Sequence, residues 1–111
     1  MSENFIKVAK TGDIKPGKMK RLDVSVASGE KCILLVNVDG RFYAADDRCT
    51  HEDASLSTGS LKGEWVKCPL HGSRFNVCTG QVLDEPADEN LKTYAVRVEG
   101  DVIWLDIKEG V

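Results

Sequence analysis

Apolar and polar positions alternate along this chain in short segments set apart by Gly, Asp and Pro. That is the period of half-buried β-strands, not the 3.6-residue period of a helix. The pattern predicts strands over 5–10, 18–26, 31–38, 41–46, 64–67, 73–76, 81–83, 91–99 and 102–107. The longest purely apolar run, Ile33-Leu34-Leu35-Val36, suits a strand inside a core. Asp39-Gly40 between two apolar runs is a two-residue hairpin signal, because Gly accepts the positive φ of a type I′ turn. Gly100-Asp101 marks a second hairpin, and Pro16-Gly17 a turn in which Pro fixes φ at the first corner. Only a short helix is expected, over 53–56, and there is no internal repeat. The expected fold class is all-β, an antiparallel β-sandwich or barrel.

Length and charge narrow the picture. At 111 residues the chain is sized for one globular domain, and such a chain buries roughly two-thirds of its unfolded surface. We expect a single domain over 1–111. Cys, His, Gly and Ser/Thr crowd into a lobe at about 47–86, mounted on a scaffold formed by 1–46 and 87–111. The net charge of −3 argues against a nucleic-acid partner, which calls for a basic face. Lys7, Lys10, Lys15, Lys18, Lys20 and Arg21 are interleaved with acids and Gly, and are read as solvating one strand pair. Residues 1–40 carry 7 basic and 5 acidic side chains, and residues 41–111 carry 8 and 13, so the acidity lies in the half that holds the unusual residues. No apolar run resembles a secretory signal or a membrane span, so we expect a cytoplasmic protein with no membrane partner.

In that compartment Cys32, Cys49, Cys68 and Cys78 stay reduced, which makes metal binding a better first reading than disulfides. Two pairs stand out, Cys49-Thr50-His51 and Cys68-Pro69-Leu70-His71, with sixteen residues between His51 and Cys68. His51 and His71 are the only two histidines. A lone Cys is usually a small apolar filler and a lone His an ordinary polar residue, but two thiol-imidazole pairs bounded by turn formers point to ligation. Thiolate with imidazole suits zinc, or an iron–sulfur centre of mixed ligands. Structural zinc favours knuckles with two residues between ligands, and Cys49 and His51 have one. In the mixed cluster one iron takes two thiolates and the other two imidazoles, so each loop supplies one ligand to each metal.

These residues resemble the Rieske [2Fe–2S] proteins, and within them the small ferredoxins of bacterial aromatic-ring-hydroxylating dioxygenases. The resemblance rests on Cys49-Thr50-His51 and Cys68-Pro69-Leu70-His71-Gly72. It continues through Arg74-Phe75-Asn76-Val77-Cys78-Thr79-Gly80 and a Pro loop at Glu85-Pro86-Ala87, with a C-terminal hairpin over 91–107. It implies a Rieske-like β scaffold with a cluster-binding lobe and one [2Fe–2S] cluster per chain. Cys49 and Cys68 would then hold the buried iron and His51 and His71 the outer one, with Gly72, Ser73, Phe75 and Pro86 around them. With two thiolates and two neutral imidazoles the oxidised cluster is neutral and accepts an electron readily. Hence a potential range of about −150 to +300 mV, against about −400 mV for plant-type ferredoxins. Ala54 and Leu70 stand where the respiratory members carry a disulfide. Ser73 keeps a hydroxyl that those members direct at a bridging sulfide, but Phe75 replaces a Tyr. One hydrogen-bond donor fewer implies a potential in the lower half of the range.

The resemblance implies a carrier rather than an enzyme. Both histidines are assigned, so no two-histidine, one-carboxylate oxygenase site remains, and no Gly-rich fingerprint follows a strand to hold a nucleotide. The expected partners are a flavoprotein reductase and a terminal non-haem iron oxygenase, met transiently by a monomer. Docking is expected at His51, Leu70, His71 and Pro86, ringed by Glu52, Asp53, Asp84, Glu85, Asp88 and Glu89. A small Rieske-like subunit of a larger reductase, such as an assimilatory nitrite reductase, and a zinc-binding structural module are the alternatives. Cys32, Cys78, Trp65 and Trp104 are read as packing residues, and Phe75 as packing that also covers the cluster.

Overall fold

The computed structural model describes residues 5–26, 29–48, 54–69, 72–83 and 89–106. Among these there are ten strands, two single 3-10 turns and no α-helix. The strands are β1 (Phe5–Lys10), β2 (Met19–Val26), β3 (Gly29–Val38), β4 (Arg41–Asp46), β5 (Ser60–Lys62), β6 (Trp65–Lys67), β7 (Arg74–Asn76), β8 (Thr93–Tyr94), β9 (Val96–Glu99) and β10 (Val102–Asp106). All pairings are antiparallel, and they form three sheets in the orders β1-β10-β9, β2-β3-β4-β8 and β5-β6-β7.

The apolar run on β3 explains this arrangement. Side chains on a strand alternate between faces, so four consecutive apolar residues place two on each side. Leu34 and Val36 enter one core with Ala45, Val66, Phe75 and Val77. Ile33 and Leu35 enter the other with Leu22, Val24, Ala44, Ile103 and Leu105. All four are at most 2% exposed. The sheet holding β3 is therefore the middle layer, with β1-β10-β9 on one side and β5-β6-β7 on the other.

The turns follow the sequence. Asp39 and Gly40 both have positive φ, 54° and 93°, as a type I′ turn demands, and Val38 pairs with Arg41 across it. Gly17 has φ 82°, and the Lys18 N–H donates to the Lys15 carbonyl at 3.0 Å, giving a type II turn with Pro16 at its first corner. Asn37 is the polar residue admitted to this region. It is buried, its Nδ2 donates to the Ile14 carbonyl at 2.8 Å, and its Oδ1 accepts from the Gly40 N–H at 2.8 Å, so its burial leaves neither group unpaired.

Three expectations change. The strand expected over 91–99 divides at Ala95: β8 pairs with β4, whereas β9 pairs with β10, so the chain passes from one sheet to the next at this corner. Residues 81–83 contribute a single bridge, Val82 to Phe75, not a strand. Over 53–56, where a short helix was expected, the described part gives a 3-10 turn displaced to Leu56–Thr58, and Asp53 lies outside the described residues. The strand β5 was not expected, because Leu61 is the one apolar residue in Ser60-Leu61-Lys62 and provides no alternation to read.

Leu35 lies wholly inside the second core, so Leu35→Ala should lower unfolding free energy by about 2–5 kcal/mol. Chemical denaturation followed by circular dichroism measures this, and a loss below about 1 kcal/mol would contradict burial of β3 on both faces.

Candidate metal centre

The chain leaves the middle sheet after β4 and rejoins it at β8. The two ends of this excursion meet where the Asp46 N–H donates to the Lys92 carbonyl at 2.9 Å. Both thiol-imidazole pairs lie between these points. Asp47 prolongs the β3–β4 pairing by one residue, its N–H donating to the Cys32 carbonyl at 3.0 Å. The first pair follows it. Cys49, His51 and Glu52 lie outside the described residues, as do Leu70, His71 and Pro86. Cys68, Gly72, Ser73 and Phe75 are described.

The β5–β6 hairpin takes up residues 60–67 of the stretch between the pairs. Ser60 pairs with Lys67 at its open end, so the turn that follows the first pair and the residue that precedes the second lie side by side. Gly59 makes the approach possible. A Cβ there would stand 2.0 Å from the Lys67 carbonyl oxygen, a main-chain atom that cannot swing aside. Sequence reasoning passed over Gly59, because nothing in its neighbours announces a contact with a residue eight positions away.

The second pair is enclosed by main-chain hydrogen bonds. The Cys68 N–H donates to the Ser73 carbonyl at 2.8 Å, and the Gly72 N–H to the Cys68 carbonyl at 3.2 Å, which returns the chain on itself around residues 69–71. Gly72 adopts φ 79°, a conformation that suits glycine, and the Lys67 side chain passes over it, its Cε 3.1 Å from where a Cβ would stand. Cys68 is 2% exposed and belongs to the first core with Val66 and Phe75. Ser73 is equally buried. Phe75 is fully buried beneath the same loop, which makes it part of the core floor.

Two packing assignments are corrected. Trp65 is 41% exposed on the outer face of β6, where the Arg74 guanidinium lies 4.4 Å from the ring centre. Its strand is covered on one face only, and Val66 takes the covered side. Cys32 is exposed as well; its Sγ lies 3.0 Å from Arg21 Nη2, in a polar cluster with Asp23. It occupies the face of β3 that holds Leu34, but beyond the end of the apolar core. Cys78 is half-buried against the first core, and burial pushes its thiol pKa up, with a Tyr43 hydrogen bond working the other way. Trp104 Nε1 is buried with no hydrogen-bond partner among the described residues.

The residues present fit an iron–sulfur group. Thiolates and imidazoles are its donors, and Cys68 offers its sulfur from a dry, apolar floor inside a loop already closed by the main chain. Among the described residues no group of three His, Cys, Asp or Glu side chains stands together.

Because main chain meets main chain at Gly59, Gly59→Ala should cost at least about 3 kcal/mol, the upper end for overpacked sites. It should also reduce iron content per chain, since it forces the two loops apart. Iron assay and thermal unfolding check both, and a variant with native iron and native stability would show that the contact is not needed.

Comparison with known proteins agrees with this geometry. Residues 4–95 match the Rieske [2Fe-2S] domain. The chain is 40% identical over 107 residues to the ferredoxin component of the naphthalene 1,2-dioxygenase system of Pseudomonas aeruginosa, covering 96% of this chain and 99% of that one. It is 40% identical over 105 residues to the ferredoxin component of biphenyl 2,3-dioxygenase of Rhodococcus jostii, covering 95% and 94%. A chain in the solved complex of reduced oxygenase and oxidised ferredoxin of carbazole 1,9a-dioxygenase superposes with a TM-score of 0.89 at 33% identity, covering 99% of each. With the family match running from residue 4 to residue 95, across both Cys-His pairs and the hairpin between them, the chain belongs to the Rieske [2Fe-2S] domain family.

Proposed function

We propose that the chain is the ferredoxin component of an aromatic-ring-hydroxylating dioxygenase system. It carries one electron at a time to a terminal non-haem iron oxygenase and does no substrate chemistry of its own. The observation that carries this reading is the match to ferredoxin components of such systems, at 40% identity over 96% of this chain and 99% of the naphthalene dioxygenase relative. The electrons come from a flavoprotein reductase, and the chain works as a cytoplasmic monomer. The reading also takes 1–111 as one domain, with the cluster lobe at about 47–86.

Cys49 and Cys68 would hold one iron of the cluster and His51 and His71 the other. When bound, the cluster accepts and returns a single electron, within a range of about −150 to +300 mV. The chain supplies the setting. Cys68 holds its sulfur in the apolar core, where Val66 and Phe75 exclude water from one side. Gly72, with φ 79°, gives the chain a turn just after His71 in sequence, and Ser73 follows it, buried. Pro86 belongs to the same proposed tip. Partners would dock at His51, Leu70, His71, Pro86 and Glu52, so that the imidazole ligands would face the partner that receives the electron.

Electron paramagnetic resonance on the purified protein, with iron and sulfide counted, tests the reading. The expected result is a signal absent when oxidised and present after dithionite, with average g below 2 and two irons per chain. A colourless protein containing zinc would overturn it.

Glu52, Asp53, Asp84, Glu85, Asp88 and Glu89 lie close in sequence to the first ligand pair and to Pro86, and charges of one sign would speed encounter with a basic partner. Electron transfer to the oxygenase should slow as salt rises through about 0.1–0.5 M, where screening shortens to a few ångströms. A rate independent of salt would remove these acids from docking.

A further inference from the structure

Asp47 is a buried carboxylate two residues before Cys49. Its residue is 3% exposed and its side chain 0%. A charge so placed is costly unless donors surround it, and here they do. Its Oδ1 accepts from the Ser57 N–H at 2.6 Å, and its Oδ2 accepts from the Ser57 hydroxyl at 3.0 Å and from the Ser55 hydroxyl. Arg21 Nε lies 3.9 Å from Oδ2, so a cation is also near. Every donor that it takes from its own loop lies beyond His51. The carboxylate precedes the first Cys-His pair and the donors follow it, so the side chain closes the loop in the way that main-chain bonds close the second. Asp47 is itself held to the frame, because its N–H donates to the Cys32 carbonyl on β3.

We infer that Asp47 is a positioning residue for the cluster: it ties Ser55 and Ser57, which follow the first ligand pair, to the end of the middle sheet that precedes it, and so anchors both flanks of Cys49 and His51 with a negative charge two residues before Cys49. This rests on the reading of Cys49 and His51 as ligands. Ser55 and Ser57 are part of the clasp and Arg21 is its counter-charge. The carboxylate does not touch the reacting centre; it acts through the loop. Its charge disfavours adding an electron nearby, and the hydroxyls and Arg21 reduce that effect.

Two variants test the inference in the full chain, with cluster content, rate of cluster loss, reduction potential and reduced-state g values as readouts. Asp47→Ala should lose its cluster about tenfold faster than the native protein, the lower end for lost partners of metal ligands. Its potential should rise, because a negative charge has gone. The double variant Ser55→Ala/Ser57→Ala leaves the carboxylate with fewer donors; it should also lose its cluster faster, while its potential falls. The double variant decides the matter if Asp47→Ala does not fold. Native decay rate in either variant overturns the inference. So does faster decay with an unmoved potential and unmoved g values, which would make Asp47 part of the fold alone. Cys49→Ser separates this from the ligand reading: if that variant keeps two irons with the native spectrum, the ligand assignment fails, whereas if it loses them and Asp47→Ala is native-like, only the clasp fails.

Discussion

Burial of both faces of β3 is the constraint on which the other layers depend. Ile33 and Leu35 face one way, Leu34 and Val36 the other, and none tolerates water. A strand of that kind needs a layer on each side. On one side β10 supplies Ile103 and Leu105, and on the other β6 and β7 supply Val66 and Phe75. Neighbouring strands adapt to the same need. Ala44 and Ala45, opposite Leu35 and Leu34, are small and point to opposite cores. The cluster lobe is thus not an appendage; its inner face completes the core of the scaffold, and Cys68 is a member of that core.

This has a consequence for an electron carrier. A one-electron centre works fast when its ligands are held alike in both charge states, so that little has to rearrange. The second Cys-His loop is fixed by two main-chain hydrogen bonds and a buried cysteine, which depend on backbone geometry. The flanks of the first are joined by a side chain, the Asp47 carboxylate, which brings charge as well as shape. The flanks of the two pairs are therefore joined by different means. The loop anchored by a carboxylate is the one whose electrostatics a single substitution can change without altering the turn.

The outer face of the lobe is chemically unlike the rest of the protein. Trp65 lies open on it with the Arg74 guanidinium stacked on its ring, an arrangement that keeps a large apolar surface in contact with a cation. The chain as a whole is acidic, with all of its acidic excess in residues 41–111. The same short sheet is thus dry on its inner face and polar-aromatic on its outer one, the ordinary result of period-two alternation when a layer is covered on one side only.

Much of the fold was legible in the sequence. Alternation, the Asp39-Gly40 and Pro16-Gly17 turns and the apolar run on β3 each reflect a local rule: the pleat, the φ that a turn demands, and the aversion of apolar side chains to water. The family was legible too: the resemblance carried by the two Cys-His motifs agrees with the match to the Rieske [2Fe-2S] domain. What escaped depended on partners remote in sequence. β5 carries a single apolar residue and is a strand because β6 lies beside it. The strand over 91–99 divides because its halves pair with different sheets. Trp65 and Cys32 carry no mark of exposure in the sequence, which is decided by where a layer ends. Gly59 and Asp47 matter through contacts with Lys67, Ser55 and Ser57. The sequence by itself determined the family of chemistry and the local conformations, since these depend on side-chain type and near neighbours. Only the tertiary structure decided which loops meet and what holds them, since those contacts exist only once distant segments have packed.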